Sequence, residues 1–268
     1  TPVVVKLPGR PLTGNNLRAL GNEIRVLRHV RHPNIVLFHG ACVLPAGGQL
    51  PVGCEASLGR MELGLVLERV DGVELPRFAW GTSGRPSRRE AAHCIVDSLL
   101  AAPAVAELRM VTLGVCRALR YLHEQRPPIV HGDLKPRNVL VERLNDLPRA
   151  KLIDFGLACI SAPGARLEGG TRDWLAPEVA ADPHALATRG LDVFAFACVV
   201  HFMEVGRSPL TGVEPTQSST LSWHEPRRPF LSDDARLLLL RCLSSSAPVR
   251  PDAAQLLKAL ERLGAARH

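Results

Sequence analysis

No Cys-x-x-Cys pair occurs in the 268 residues, and the seven cysteines are an odd number. Both facts argue against a disulfide framework and against a zinc site, and they lead us to expect a reducing, cytoplasmic setting. Long hydrophobic runs are also missing. None approaches a membrane span, and no signal-peptide pattern opens the sequence as given. Basic runs interleaved with aromatics are absent too. The net charge of +7, mostly arginine, therefore reads as a solvated surface, with neither nucleic acid nor membrane expected as a partner. What is present is an apolar share of 46% and a charged share of 22%, a globular composition in a chain long enough for one large domain or two lobes. Thr1 in place of Met suggests an excerpt from, or a processed part of, something longer.

The most informative stretch is His131-Gly132-Asp133-Leu134-Lys135-Pro136-Arg137-Asn138, bracketed by the apolar runs Ile129-Val130 and Val139-Leu140-Val141. It reads as a loop pinned between ordered segments, the usual place for chemistry on a rigid scaffold. A carboxylate, an amine and a carboxamide brought together there can accept a proton, steady a phosphate and help ligate a hard cation, the three tasks of phosphoryl transfer. A polar turn between two strands is the plainer alternative for the octapeptide alone. Further along, Asp154-Phe155-Gly156 ends an apolar run, and Gly170-Thr171-Arg172-Asp173-Trp174-Leu175-Ala176-Pro177-Glu178 follows a small, flexible stretch.

These motifs resemble the eukaryotic protein kinase family, Ser/Thr type, whose catalytic loop reads His-Arg-Asp-Leu-Lys-Pro-x-Asn, followed by Asp-Phe-Gly and Ala-Pro-Glu. Trp174 and His32-Pro33-Asn34-Ile35-Val36 lean toward the tyrosine-kinase-like branch. The resemblance implies an α+β, bilobal fold: a small β-sheet lobe over residues 1–70, without its first two strands, and a larger helical lobe over 71–268. It also implies ATP and Mg²⁺ as cofactors and a protein substrate bearing a Ser or Thr hydroxyl. Asp133 would accept or orient that hydroxyl, Lys135 would steady the γ-phosphate, and Thr171 would hydrogen-bond both. Lys6 with Glu23 would hold the α- and β-phosphates. Asp154 and Asn138 would ligate the metal. Leu67 as gatekeeper, the backbone of Glu68 and Val70, and Leu140 would contact the nucleotide, although residues 65–72 could equally be a plain strand and turn.

Elements follow from periodicity. Val3-Val4-Val5-Lys6 reads as a buried strand, or else an edge strand with a solubilising lysine. Leu17, Leu20, Ile24, Leu27 and Val30 mark a helix that Asn15 or Asn16 could cap. Strands are expected over 34–43 and 64–70, separated by an exposed insertion over 45–59. Residues 78–89 read as a loop whose Arg85, Arg88 and Arg89 are more simply solvated than docked. Helices are expected over 90–100, 105–123, 191–205, 235–243 and 253–263, and short strands over 139–141 and 150–153. His131, Phe155, Leu27 and Phe38 would stack as a spine anchored by Asp192, with His131 a packed core residue. Glu178 would pair with Arg250.

Two features depart from the family pattern. No Gly-x-Gly-x-x-Gly occurs, so residues 1–268 alone are expected to expose a strand edge, bind ATP weakly and dissolve poorly. Gly132 stands where an Arg would grip a phosphorylated activation segment, which implies an activity independent of such phosphorylation. A pseudokinase acting as a scaffold is the alternative class of function.

Overall fold

The computed structural model describes residues 2–7, 14–45, 61–81, 102–162, 164–167, 169–182, 184–211 and 221–265. In chain order they form β1 (Val3–Lys6), α1 (Gly14–Leu27), β2 (Phe38–Pro45), β3 (Met61–Glu68), β4 (Gly72–Glu74), α2 (Leu75–Trp80), α3 (Val105–His123), β5 (Ile129–Val130), β6 (Val139–Leu144), β7 (Leu147–Leu152), β8 (Cys159–Ile160), α4 (Pro177–Ala181), α5 (Arg189–Val205), α6 (Asp233–Cys242) and α7 (Ala253–Ala265). A small sheet-based lobe and a larger helical one result. No helix among the described residues is long and apolar enough to cross a membrane.

Three antiparallel strands in the order β1-β3-β2 make the small sheet. β-Branched Val3, Val4 and Val5 favour the extended form and pair with Glu68, Leu67 and Val66. Their side chains are 46%, 46% and 39% exposed, so the strand is an edge and not the buried element that its unbroken apolar run suggests. Among the described residues only β3 pairs with it. In α1, Leu20, Glu23 and Leu27 are spaced to share one face, and all three are buried. That helix begins at Gly14, so Asn15 and Asn16 lie within its first turn instead of capping it.

The strand expected over 34–43 starts only at Phe38. Ahead of it, Asn34 and Val36 are stitched to the other lobe. The Asn34 amide donates to the Ala150 carbonyl at 2.8 Å, Leu152 N–H to the Asn34 carbonyl at 2.8 Å, and Val36 N–H to the Leu152 carbonyl at 2.9 Å. The two backbone bonds make an isolated parallel bridge between Ile35 and Leu152, so this stretch pairs with the other lobe ahead of the small sheet. β3 runs earlier than the expected 64–70, ending at Glu68. Residues 75–80, the first of which were expected to precede a loop from Phe78, form α2. Pro76 starts the helix and Gly81, at φ 69°, closes it. Six residues are too few for a helical period to register. The insertion beyond Pro45, the helix expected over 90–100, and Arg85, Arg88 and Arg89 lie outside the described residues.

α3 and α5 are the central helices of the large lobe. α5 is apolar on nearly every side and buried almost throughout, as its sequence requires. Beside them β6 and β7 form a hairpin whose turn residues Asn145 and Asp146 take φ of 50° and 63°, the left-handed pair that suits a tight two-residue turn. One continuous core runs from Leu27 and Phe38 through Phe155 to Phe194, Phe196 and Leu256. Each of these side chains contributes roughly 1.5–3 kcal/mol by leaving water.

Candidate active site

Lys6 closes β1 and reaches α1 and the start of the Asp154-Phe155-Gly156 turn at once. Its Nζ donates to Glu23 Oε1 at 2.8 Å, to Glu23 Oε2 at 2.9 Å and to Asp154 Oδ1 at 2.8 Å. Glu23 also accepts from the Phe155 N–H at 3.2 Å, which fixes α1 against that turn. Burial pulls the Asp154 carboxyl upward, but the hydrogen bond and charge of Lys6 outweigh it and hold the group below the usual carboxylate range. The same contacts act in reverse on Lys6. Burial lowers its pKa, and the charges and hydrogen bonds of Glu23 and Asp154 raise it further than burial lowers it. Asp154 takes φ 63°, a left-handed backbone that Asp tolerates better than most residues.

A second cluster lies on the loop between β5 and β6. Lys135 Nζ is 2.5 Å from Asp133 Oδ2 and 2.8 Å from Thr171 Oγ1, and the Thr171 hydroxyl donates to Asp133 Oδ1 at 2.8 Å. Asn138 donates to the Asp133 backbone carbonyl at 2.8 Å and to Oδ2 at 3.2 Å. With the amide NH₂ so committed, its oxygen remains to meet a cation. Asp133 is thereby oriented by three neighbours: an ammonium, a hydroxyl and an amide.

The loop is held from beneath by Asp192 of α5. It accepts from the His131 N–H at 2.8 Å and the Gly132 N–H at 3.0 Å, and its Oδ2 lies 2.9 Å from His123 Nε2. Complete burial raises the Asp192 pKa. The His123 hydrogen bond, followed by the charges of His123 and His131 and the Gly132 amide, lowers it by more. The His131 ring packs on Phe155 with centroids 4.9 Å apart, and Leu27 and Phe38 are buried in the same core, as the expected spine requires. Arg250 meets Glu178 through two bonds of 2.7 Å, so the expected pair also forms.

Around the expected nucleotide contacts the picture differs in one respect. Leu67 is 9% exposed and Leu140 is half-buried on β6. The Glu68 N–H, however, is committed to the Leu37 carbonyl at 2.8 Å, and so is withdrawn from a ligand. Glu68 has instead a role that sequence reading missed. Its carboxylate accepts from the Leu37 N–H at 3.0 Å and pairs with buried Lys151 of β7, joining the two lobes. His123 was missed as well, because a histidine at the end of a helix looks like an exposed cap. No signal in the sequence pointed to its partner, which lies 69 residues away.

Comparison with known proteins agrees with this geometry. The family model described as "Protein kinase domain" matches residues 7–260. Over 248 residues the chain is 28% identical to the Serine/threonine/tyrosine-protein kinase HT1 of Arabidopsis thaliana, covering 90% of this chain and 54% of that protein. It is 27% identical over 265 residues to the Probable serine/threonine-protein kinase drkA of Dictyostelium discoideum, covering 97% and 36%. It is also 29% identical over 276 residues to the Serine/threonine-protein kinase VIK of Arabidopsis thaliana, covering 98% and 55%. The chain thus spans about a third to about half the length of these relatives.

Proposed function

This chain belongs to the protein kinase family, and from that premise we propose that it is the catalytic domain of a serine/threonine protein kinase, transferring the γ-phosphate of ATP to a protein hydroxyl. The single observation that carries the reading is the 2.8 Å bond from Lys6 to Asp154 across 148 residues, made while Glu23 holds the same ammonium. Three charged groups from three separate segments meet on one cleft, and a scaffold has no need of that arrangement. The lobe division near residue 70 is part of the proposal. β3 ends at Glu68, and β4 already pairs with β6 of the other lobe.

Protein kinases use ATP with Mg²⁺, and the side chains here suit both. Asp154 offers a carboxylate and Asn138 an amide oxygen, hard donors fit for magnesium. Among the described residues no group of three or more His, Cys, Asp or Glu comes together as an ion cage. Magnesium needs only one or two carboxylates, its shell being completed by phosphate oxygens and water. When bound, the ion would supply neutralising charge for the phosphates. The chain's own residues do the rest. Lys6, positioned by Glu23, meets the α- and β-phosphates. Leu67 and Leu140 flank the base, and the Val70 backbone with the Glu68 carbonyl offers it hydrogen bonds. Asp133 orients the acceptor hydroxyl and takes its proton, and Lys135 stabilises charge on the moving phosphoryl group while Thr171 keeps the two in register. The buried Cys116, Cys198 and Cys242 are pushed up in pKa by burial, Cys242 to about 12. Inert reduced thiols of this kind fit a cytoplasmic enzyme.

Activation-segment order without a phosphate belongs to the same reading. Gly132 sits at φ 77°, and a Cβ there would lie 2.5 Å from Leu167 Cδ1 and 2.7 Å from the Leu157 carbonyl oxygen. Leu167 fills the space where the family's Arg would begin, and it is 3% exposed. Backbone bonds from Ala187 N–H to the Ala165 carbonyl, 2.9 Å, and from Ser161 N–H to the Pro128 carbonyl, 2.7 Å, hold the segment on either side. An apolar plug thus takes the place of an Arg–phosphate clamp. The test is a phosphotransfer assay of wild type against Asp133→Asn. Loss of about 10²–10⁴ in kcat is expected for removal of the general base, and equal activity in the two would leave only a scaffold.

A further inference from the structure

Arg137 and Arg172 each stand next to a hydrogen-bonded partner of Asp133, and neither has a partner among the described residues. Arg137 precedes Asn138, whose amide is 2.8 Å from the Asp133 carbonyl, and Arg172 follows Thr171, whose hydroxyl is 2.8 Å from Asp133 Oδ1. Arg137 is exposed while Pro136 and Asn138 on either side of it are buried, so its side chain leaves the 3₁₀ turn outward. Arg172 is likewise exposed on the 3₁₀ turn Arg172–Trp174. Among the described residues neither guanidinium makes a hydrogen bond or ion pair. Some other arginines of this lobe are paired. Arg149 bonds Glu142 at 2.8 Å, Arg236 bonds Glu204 at 3.0 Å, and Arg250 holds Glu178.

The two turns are linked through packed side chains. α2 packs on the turn that carries Arg137. Trp80 of α2 donates through Nε1 to the Phe202 carbonyl at 3.0 Å, and the Phe202 ring meets Trp174 edge-on at 6.0 Å. Arg207, also exposed, stands beside Ser208, whose hydroxyl reaches the Asp173 carbonyl at 2.5 Å. Next to Arg172, Asp173 adds one exposed carboxylate to the same 3₁₀ turn. Asp133 itself is neutralised by Lys135.

Resting on the kinase reading above, we infer that this rim selects protein substrates whose acceptor hydroxyl is flanked by anionic side chains, with Arg137 and Arg172 as the specificity-determining residues. A basic substrate would bring like charges against two unpaired cations, which disfavours it, while an acidic one pairs them at little desolvation cost because both are already wet. The anion could be carboxylate or phosphate, since guanidinium groups take either.

The test uses the 268-residue chain and fluorescein-labelled serine peptides of equal length flanked by Glu, by Gln, by Arg or by phosphoserine, read by anisotropy at low and high salt and by kcat/KM with ATP. Each exposed pairing is worth roughly threefold, so the Glu peptide should lead the Arg peptide by about tenfold, and salt should shrink the gap. The double variant Arg137→Glu/Arg172→Glu should invert the ratio, and recovery of the Arg peptide by that variant shows that it is folded. A lead for phosphoserine without a lead for Glu would support the inference and identify the anion as phosphate. Equal affinities, a basic preference, a ratio unchanged by the double variant, or tighter binding of a single-stranded oligonucleotide than of any peptide would each overturn it. Selective binding without turnover of any peptide, at ATP concentrations shown to saturate the chain, would sink the kinase reading and leave the surface standing. Turnover of all peptides without selectivity would do the reverse.

Discussion

Restoring the family's arginine at position 132 should damage the protein, and the size of the damage can be worked out from the backbone. Gly132 has φ 77°, in the left-handed region where an L-residue costs about 1–2 kcal/mol. Its Cβ would also come within 2.5 Å of Leu167 Cδ1 and 2.7 Å of the Leu157 carbonyl oxygen. Overpacking of this kind adds about 1–3 kcal/mol. The total for Gly132→Arg is therefore about 2–5 kcal/mol, or a fall of roughly 5–15 °C in Tm for a chain of this size. Gly132→Ala already introduces both the strained φ and the Cβ contacts, so it should account for most of the loss. Leu167→Ala in either background should return only part of it, because the Leu157 oxygen is backbone and cannot rotate away. Thermal unfolding of the four variants beside wild type by scanning fluorimetry reads this directly. A Gly132→Arg protein melting within about 1 °C of wild type, and newly dependent on phosphorylation of Ser161, would refute the argument.

Other expected outcomes follow from other parts of the structure. Glu23→Gln keeps the shape of the clamp on Lys6 but removes its charge, so kcat/KM for ATP should fall about 10- to 100-fold, the worth of a charge-assisted hydrogen bond, with Tm nearly unchanged. Arg250→Met leaves Glu178 without the two 2.7 Å bonds it now receives and strips Ser244 and Gly190 of a shared donor. A loss of about 3–5 kcal/mol is expected, seen as a lower midpoint in urea. Burial pushes the His201 imidazole down to about 4, the like charge of His224 and Arg207 acting in the same direction against the Arg207 carbonyl. Its Nε2, 3.1 Å from His224 Nδ1, then serves as an acceptor. Because the folded pKa lies below the unfolded value of about 6.5, the unfolded chain takes up the proton first. Stability should therefore fall by about 2–3 kcal/mol between pH 6.5 and pH 4, and His201→Gln should flatten that part of the Tm–pH curve.

Much of the candidate site was legible because its residues lie within short, contiguous motifs. Asp133, Lys135 and Asn138 share one loop, Asp154 opens a second motif, and Thr171 with Glu178 a third. Local spacing alone puts such groups on the same turn, and the chemistry of each side chain limits what it can do there. The long helices over Val105–His123 and Arg189–Val205 were legible for the related reason that apolar period repeats many times in them. Two-turn α2 carries too few repeats, and the strand expected over 34–43 was wrong at its start because Asn34 bonds to Ala150 across 116 residues.

What the sequence determined, then, is the set of chemical groups and the short segments that present them. Folding alone decided which segments meet: Lys6 with Asp154, Glu68 with Lys151, His123 with Asp192. It also gave Gly132 its reason, since only the packed Leu167 and the Leu157 carbonyl show why a side chain does not fit there. The division is physical. Propensity and periodicity act over a few residues of chain, whereas a contact across a hundred residues exists only when the burial of the whole core outweighs the entropy of bringing its ends together.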